Sequence, residues 1–225
     1  ANDPQTDEDI YKNYSKEKPA GKQINKLELM KEMGLEPAED RMLLGMVTRF
    51  ASHKGLDLVQ YIFDDMMRDN ISVVILGSGD ANYENFFREM QARYPGRVAV
   101  KIGFIPSLSK KIYAGADAFL MPSKSEPCGL AQMVAARYGT LPIVRETGGL
   151  KDSIHDVGQE DGQGNGFTFK TYNAHDMLGA IQRAEGLYGN KPLWKEAMQG
   201  AMNSDFSWKK SAQEYLDMYR MIMND

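Results

Sequence analysis

Apolar and polar positions alternate along the chain in two periods, and the order of those periods predicts the fold class. Met42 to Phe50 is an apolar run, Leu56 to Met67 carries apolar residues at helical spacing, and Ile71 to Leu76 is a β-branched run ending in Gly77-Ser78-Gly79. These predict a strand, a helix and a second strand. The beat continues with a helix from about Tyr83 to Arg93, a strand from Val98 to Phe104, a helix around Leu108 to Ala114 and a strand from Ala118 to Met121. A helix from Gly129 to Tyr138, a short strand from Leu141 to Val144, the polar loop Gln159 to Asn165 and a last strand from Phe167 to Phe169 follow. Apolar strands buried on both faces and separated by helices imply an α/β fold, a parallel sheet with helices on both faces.

The two ends differ from this middle. Residues 1–24 are polar, carry Pro4, Pro19 and Gly21, and lack a sustained apolar period, so they read as a lead-in outside the core. Leu27, Met30 and Met33 then give a short helix that stops at Gly34 and Pro37. Met177 to Leu187, Trp194 to Met202 and Ser207 to Met223 have helical periodicity, with Asn173 and Ser207 as N-caps. The expected organisation is a polar lead-in over 1–24, a sheet domain over 25–205 and a terminal helix over 206–225.

Composition narrows the function classes. The 225 residues are 26% charged and 42% hydrophobic, ordinary values for a globular chain. A net charge of −4 argues against a nucleic-acid protein that neutralises phosphates over a broad surface. No apolar stretch approaches the roughly 18 residues of a membrane span, and the first residues lack the basic and apolar regions of a signal peptide. A membrane partner is therefore not expected, and the cytoplasm is the expected location. One cysteine, Cys128, excludes an internal disulfide framework, and His53, His155 and His175 offer no metal-ligand spacing.

In an open parallel sheet, ligands bind beyond the carboxyl ends of the strands, which makes the loops after strands the candidate sites. Thr48 to Gly55 holds Arg49 and Lys54, two cations that suit one anionic group such as a diphosphate. Taken alone, this loop reads first as a solvated stretch with two surface charges. Gly77 to Asn82 lacks the third glycine of a dinucleotide fingerprint and reads as a tight turn. Gly103 and Phe104 offer backbone and a ring to a planar base; equally, Phe104 is a core side chain at a strand end. Between Pro122 and Leu130, Gly129 leaves room for a ligand and the first helical turn favours an anion. Glu126 stands just outside, accepting hydrogen bonds from a hydroxylated ligand or from the helix start. Cys128 reads as a packing residue ahead of an activated thiol, since no base is evident nearby. Thr147-Gly148-Gly149-Leu150 suits close backbone approach. All five loops fall on one edge of the inferred sheet, and together they describe a nucleotide-diphosphate-sugar site.

The block Glu126-Pro127-Cys128-Gly129-Leu130, followed by Arg137-Tyr138-Gly139-Thr140-Leu141-Pro142 and Thr147 to Leu150, resembles the bacterial glycogen synthase and plant starch synthase family of retaining glucosyltransferases. Arg49 to Asp57 is similar to that family's phosphate-binding loop, and the resemblance runs from Asn25 to the last helix. It implies the C-terminal domain of a GT-B fold, a Rossmann-like domain facing an N-terminal domain across a cleft. The N-terminal domain's Lys-x-Gly-Gly-Leu loop does not occur in this sequence.

The resemblance also implies roles. Arg49 and Lys54 would hold the diphosphate and stabilise charge on the leaving nucleotide, and Glu126 would orient the transferred glucose. Pro127, Cys128, Gly129 and Leu130 would meet sugar and phosphate largely through the backbone, with Gly103 and Phe104 beside the base. The implied donor is ADP-glucose, with no residue here to separate it from UDP-glucose, and the implied acceptor is an α-1,4-glucan bound through the N-terminal domain. No cofactor and no metal are implied.

Two positions depart from wider patterns. Val134 stands where many retaining glycosyltransferases carry a second glutamate, an absence shared with glycogen and starch synthases, and Ala131 replaces a frequent hydroxyl residue. The terminal helix resembles the segment that crosses back to the N-terminal domain. A chain of this kind is expected to be inactive alone. The competing reading is a non-catalytic nucleotide- or glucan-binding module of the same fold.

Overall fold

The computed structural model describes residues 2–125, 129–148, 153–158, 164–204, 221 and 223. Its strands are β1 (Met42–Phe50), β2 (Ile71–Gly79), β3 (Val98–Ile102), β4 (Ala118–Met121), β5 (Leu141–Arg145) and β6 (Phe167–Phe169). Its helices are α1 (Ala20–Glu32), α2 (Leu56–Met66), α3 (Ala81–Arg93), α4 (Pro106–Gly115), α5 (Ala131–Arg137), α6 (Ala174–Tyr188) and α7 (Lys191–Met202). The strands form one sheet in the order β3-β2-β1-β4-β5-β6, and every neighbouring pair is parallel.

Side chains along a strand point alternately to opposite faces, and here both faces are apolar. Met42, Leu44 and Met46 of β1, with Ile71, Val73 and Ile75 of β2, join α2, α3 and α6 in one core. Leu43 of β1, with Val74 and Leu76 of β2, packs on the other side against Leu29 and Met30 of α1 and Leu108 and Ile112 of α4. Helices therefore cover both faces, as the apolar runs predict. Asn173 caps α6, its side chain accepting from the His175 and Asp176 N–H groups.

Two expectations need correcting. The lead-in is packed into the domain, and the boundary expected at Asn25 falls inside α1, which begins at Ala20. Tyr14 is buried with its hydroxyl donating to Tyr138 O, and the buried Asp7 carboxylate accepts from the Tyr138 hydroxyl at 2.5 Å. These residues bury by hydrogen bonding, which a hydrophobic pattern does not reveal. Second, Gly77-Ser78-Gly79 is strand rather than turn, paired with Thr48, Arg49 and Phe50. Gly77 is required there because a Cβ would overlap the Thr48 carbonyl oxygen. The expected helix from Ser207 with its N-cap, and most of the 206–225 segment, lie outside the described residues.

Candidate nucleotide-sugar site

The strand order reverses between β1 and β4, and an open α/β sheet forms its ligand crevice at such a point. The register shows how it opens. β1 pairs with β4 only at Leu44↔Ala118 and Gly45↔Phe119, yet runs on to Phe50. Beyond the last pair the two strand ends part and leave a cleft of about 180 Å³. Met46 to Arg49 and Lys54 line it on one side, and Leu120 to Ser123 with Gly129, Leu130 and Ala131 on the other.

The chain is shaped to this cleft. After β1 it makes a short 3-10 turn over Ser52–Lys54 and enters α2 at Gly55, which adopts φ 78°. A Cβ on Gly55 would overlap the Pro122 carbonyl oxygen, so the glycine lets the two loops touch. The Lys124 N–H then donates to His53 O at 2.9 Å, which joins the loop after β4 to the loop after β1.

Four of the residues singled out in the sequence, Arg49, Lys54, Gly129 and Leu130, line this one cleft. Arg49 is exposed at the end of β1, opposite Ser78 of β2. The helix expected from Gly129 begins at Ala131, leaving Gly129 and Leu130 in the preceding loop. Gly103 and Phe104 follow β3, two strands from β1 on the same edge of the sheet, and do not line the cleft. The Gly103 N–H donates to Gly77 O at 2.9 Å, which ties this loop to the end of β2. Phe104 is 87% exposed, so the alternative that its ring is a core side chain is overturned. Glu126, Pro127 and Cys128 lie outside the described residues, as do Gly149 and Leu150.

Sequence reasoning missed three groups around the cleft. Thr48 and the buried Ser123 line it, and Arg145 braces it from behind, with Nη2 donating to Lys124 O at 2.7 Å. Arg145 was legible as a cation directly after the expected fifth strand. Its neighbour Tyr172 is half-buried, and burial followed by the hydrogen bond to Asp57 raises the phenol's pKa well above its ordinary range. It therefore stays protonated and keeps donating.

The family model of glycosyl transferases group 1 matches residues 31–192. Glycogen synthase of Bacillus cereus (strain B4264) is 48% identical over 220 residues, which is 98% of this chain and 46% of that protein. Glycogen synthase of Clostridium acetobutylicum is 47% identical over 221 residues, again 98% of this chain and 46% of that protein. The catalytic domain of starch synthase IV from Arabidopsis thaliana bound to ADP and acarbose superposes with a TM-score of 0.88 at 34% identity, covering 100% of this chain and 47% of that one. The chain thus spans about half the length of the curated relatives it matches. Among the described residues no helix is long and apolar enough to cross a membrane. The sheet and its helices are those of the C-terminal domain of a GT-B glycosyltransferase, and the chain belongs to the glycosyl transferases group 1 family.

Proposed function

We propose that this chain is the donor-binding part of a cytoplasmic enzyme that transfers glucose from ADP-glucose to the non-reducing end of an α-1,4-glucan with retention of configuration. The observation that carries the reading is the cleft where the strand order reverses, which gathers Arg49 and Lys54 on one wall and Gly129 and Leu130 on the other. Two cations on one side of a crevice suit a diphosphate, whose charge grows on the leaving nucleotide as the glycosidic bond breaks. Gly129 and Leu130 present backbone to phosphate and sugar. Glu126, with Pro127 and Cys128, is assigned to the transferred glucose on the strength of the motif, and Gly103 and Phe104 to the base. The exposed ring of Phe104 supports a stacking role.

ADP is favoured over UDP because the starch synthase that superposes on this chain holds ADP, and the glycogen synthase relatives support a glucan acceptor. At about 180 Å³ the cleft is smaller than the roughly 300–1,000 Å³ of a complete small-molecule site. The donor is accordingly enclosed only with the rest of the enzyme, and the chain alone is inactive.

The test is transfer of labelled glucose to glycogen by the full-length protein, with ADP-glucose and UDP-glucose compared. Lys54→Ala is expected to lower kcat/KM for ADP-glucose on the order of 100-fold or more, as loss of one preorganised charge-stabilising contact does. Transfer that is absent from the full-length protein, or indifferent to Lys54, would overturn the reading.

A further inference from the structure

We infer that Arg145 is a positioning residue that holds the two cleft loops in register, an inference that rests on the donor-site reading above. Its guanidinium sits at the end of β5, where Nη2 donates to Lys124 O at 2.7 Å and Nε to Ser123 O at 3.3 Å. Nη1 reaches Lys170 O, just after β6, at 3.4 Å. Among the described residues all these donors go to main-chain carbonyls. A planar fork satisfied by carbonyls from two loops fixes backbone geometry, because the donors sit at fixed angles to one another.

Tyr172 completes the brace. The Arg145 guanidinium carbon and the Lys124 ammonium each lie 5.6 Å from its ring centroid. The Tyr172 hydroxyl donates to Asp57 in the first turn of α2, the helix that follows the Arg49 to Gly55 loop. The braced loop is fixed to the cation-bearing loop twice more, through Lys124 N–H on His53 O and through Pro122 against Gly55. Segments after β4 and β6 therefore meet on one side chain that does not line the cleft, and the segment after β1 joins them through Lys124 and Tyr172. Arg145 acts by setting how far Lys54 and Arg49 stand from Ser123 and the residues that follow it.

The experiment pairs ligand-free hydrogen exchange at the Lys124 amide with calorimetric titration by ADP-glucose, for wild type, Arg145→Ala, Arg145→Lys and Tyr172→Phe. Arg145→Ala is expected to lose protection at Lys124 and to weaken ADP-glucose binding by roughly tenfold to 100-fold, the loss of about one hydrogen bond to a charged group. Arg145→Lys keeps a donor for Lys124 O and recovers part of both. Tyr172→Phe moves both readouts the same way by less. If Arg145→Ala does not fold, the other two variants decide.

A merely structural role would lower thermal stability without singling out Lys124. Unchanged Lys124 protection in Arg145→Ala, or unchanged affinity despite lost protection, overturns the inference. Absence of binding to the folded wild type would overturn the donor-site reading instead, and Lys124 exchange would still decide whether Arg145 holds the loops together.

Discussion

The two ends of the central strands use cations in opposite ways. At the amino ends, Lys22 and Lys26 of α1 are sealed inside the protein. The Lys26 ammonium lies 2.8 Å from Asp117, donates to Glu39 O and Arg41 O, and meets the Tyr188 hydroxyl. Asp117 also accepts from the Leu43 N–H, which fixes the start of β1 beside the start of β4. Lys22 donates to Ala114 O at 2.8 Å and to Thr140 Oγ1 at 2.7 Å, closing the end of α4 onto the approach to β5. At the carboxyl ends, Arg49 and Lys54 line an open cleft. A buried cation whose hydrogen bonds are met by backbone carbonyls is a strut, whereas Arg49 and Lys54 stand at a strand reversal, where an open sheet forms its ligand crevice. The residue type is shared; the surroundings decide the use.

The sharpest way to break this comparison is to remove a strut. Lys26→Ala leaves Asp117, 9% exposed at its side chain, without its ammonium in the interior. Breaking such a pair from one side costs about 3–5 kcal/mol, because the remaining charge is buried uncompensated. Urea unfolding should show that loss, while donor affinity in the folded fraction stays close to wild type.

A substitution at the other edge should do the reverse. Phe104→Ala is expected to weaken ADP binding by about 1–3 kcal/mol, the scale of one base–aromatic stack. Stability should change by only about 0.5 kcal/mol, since the ring is exposed and holds nothing in place. A calorimetric titration and a thermal melt on the same variant check both halves.

An effect of similar size to that at Phe104 is a pH dependence confined to the strut end. Burial first of all, with Lys26 adding to it against the attraction of Asp117, pushes Lys22 down to about 7. In the unfolded chain a lysine keeps its proton to roughly pH 10. Between about pH 7 and 10 the unfolded state therefore binds more protons than the folded one, and stability rises with pH across that window. Melting midpoints should climb from pH 7 to 9, by roughly 2–4 °C for each kcal/mol gained in a domain of this size. Lys22→Met should flatten that slope, whereas Lys54→Ala should leave it in place.

Much of the middle of the chain was legible because its strands are apolar on both faces and its helices carry one apolar stripe. The places where reading failed share a cause. Lys22 fell in the stretch read as a polar lead-in, yet Lys22, Asn25 and Lys26 follow Gly21 and precede Leu29 and Met30 at helical spacing on the buried side of α1. Their positions carried the signal that their chemistry hid. Gly77 and Gly79 looked like punctuation, although glycine there answers the close approach of β1 backbone to β2. Phe104 read equally as a ring offered to a base and as a core side chain, and its exposure removes the second. At the cleft, Arg49, Lys54, Gly129 and Leu130 were readable as residues of loops on one edge of the sheet, which is where the structure brings them together. Arg145 was visible as a cation after the fifth strand, but the role inferred for it was not, because that depends on carbonyls brought in from after β4 and β6, which no local pattern displays.

The central claim is that the cleft between β1 and β4 binds the diphosphate of a nucleotide sugar. Calorimetric titration of this chain with ADP-glucose tests it most directly, using wild type, Arg49→Ala and Lys54→Ala. The account predicts saturable binding that each substitution weakens and that weakens further as salt is raised, because the contact is ionic. Binding that keeps its wild-type affinity in both Arg49→Ala and Lys54→Ala would contradict it.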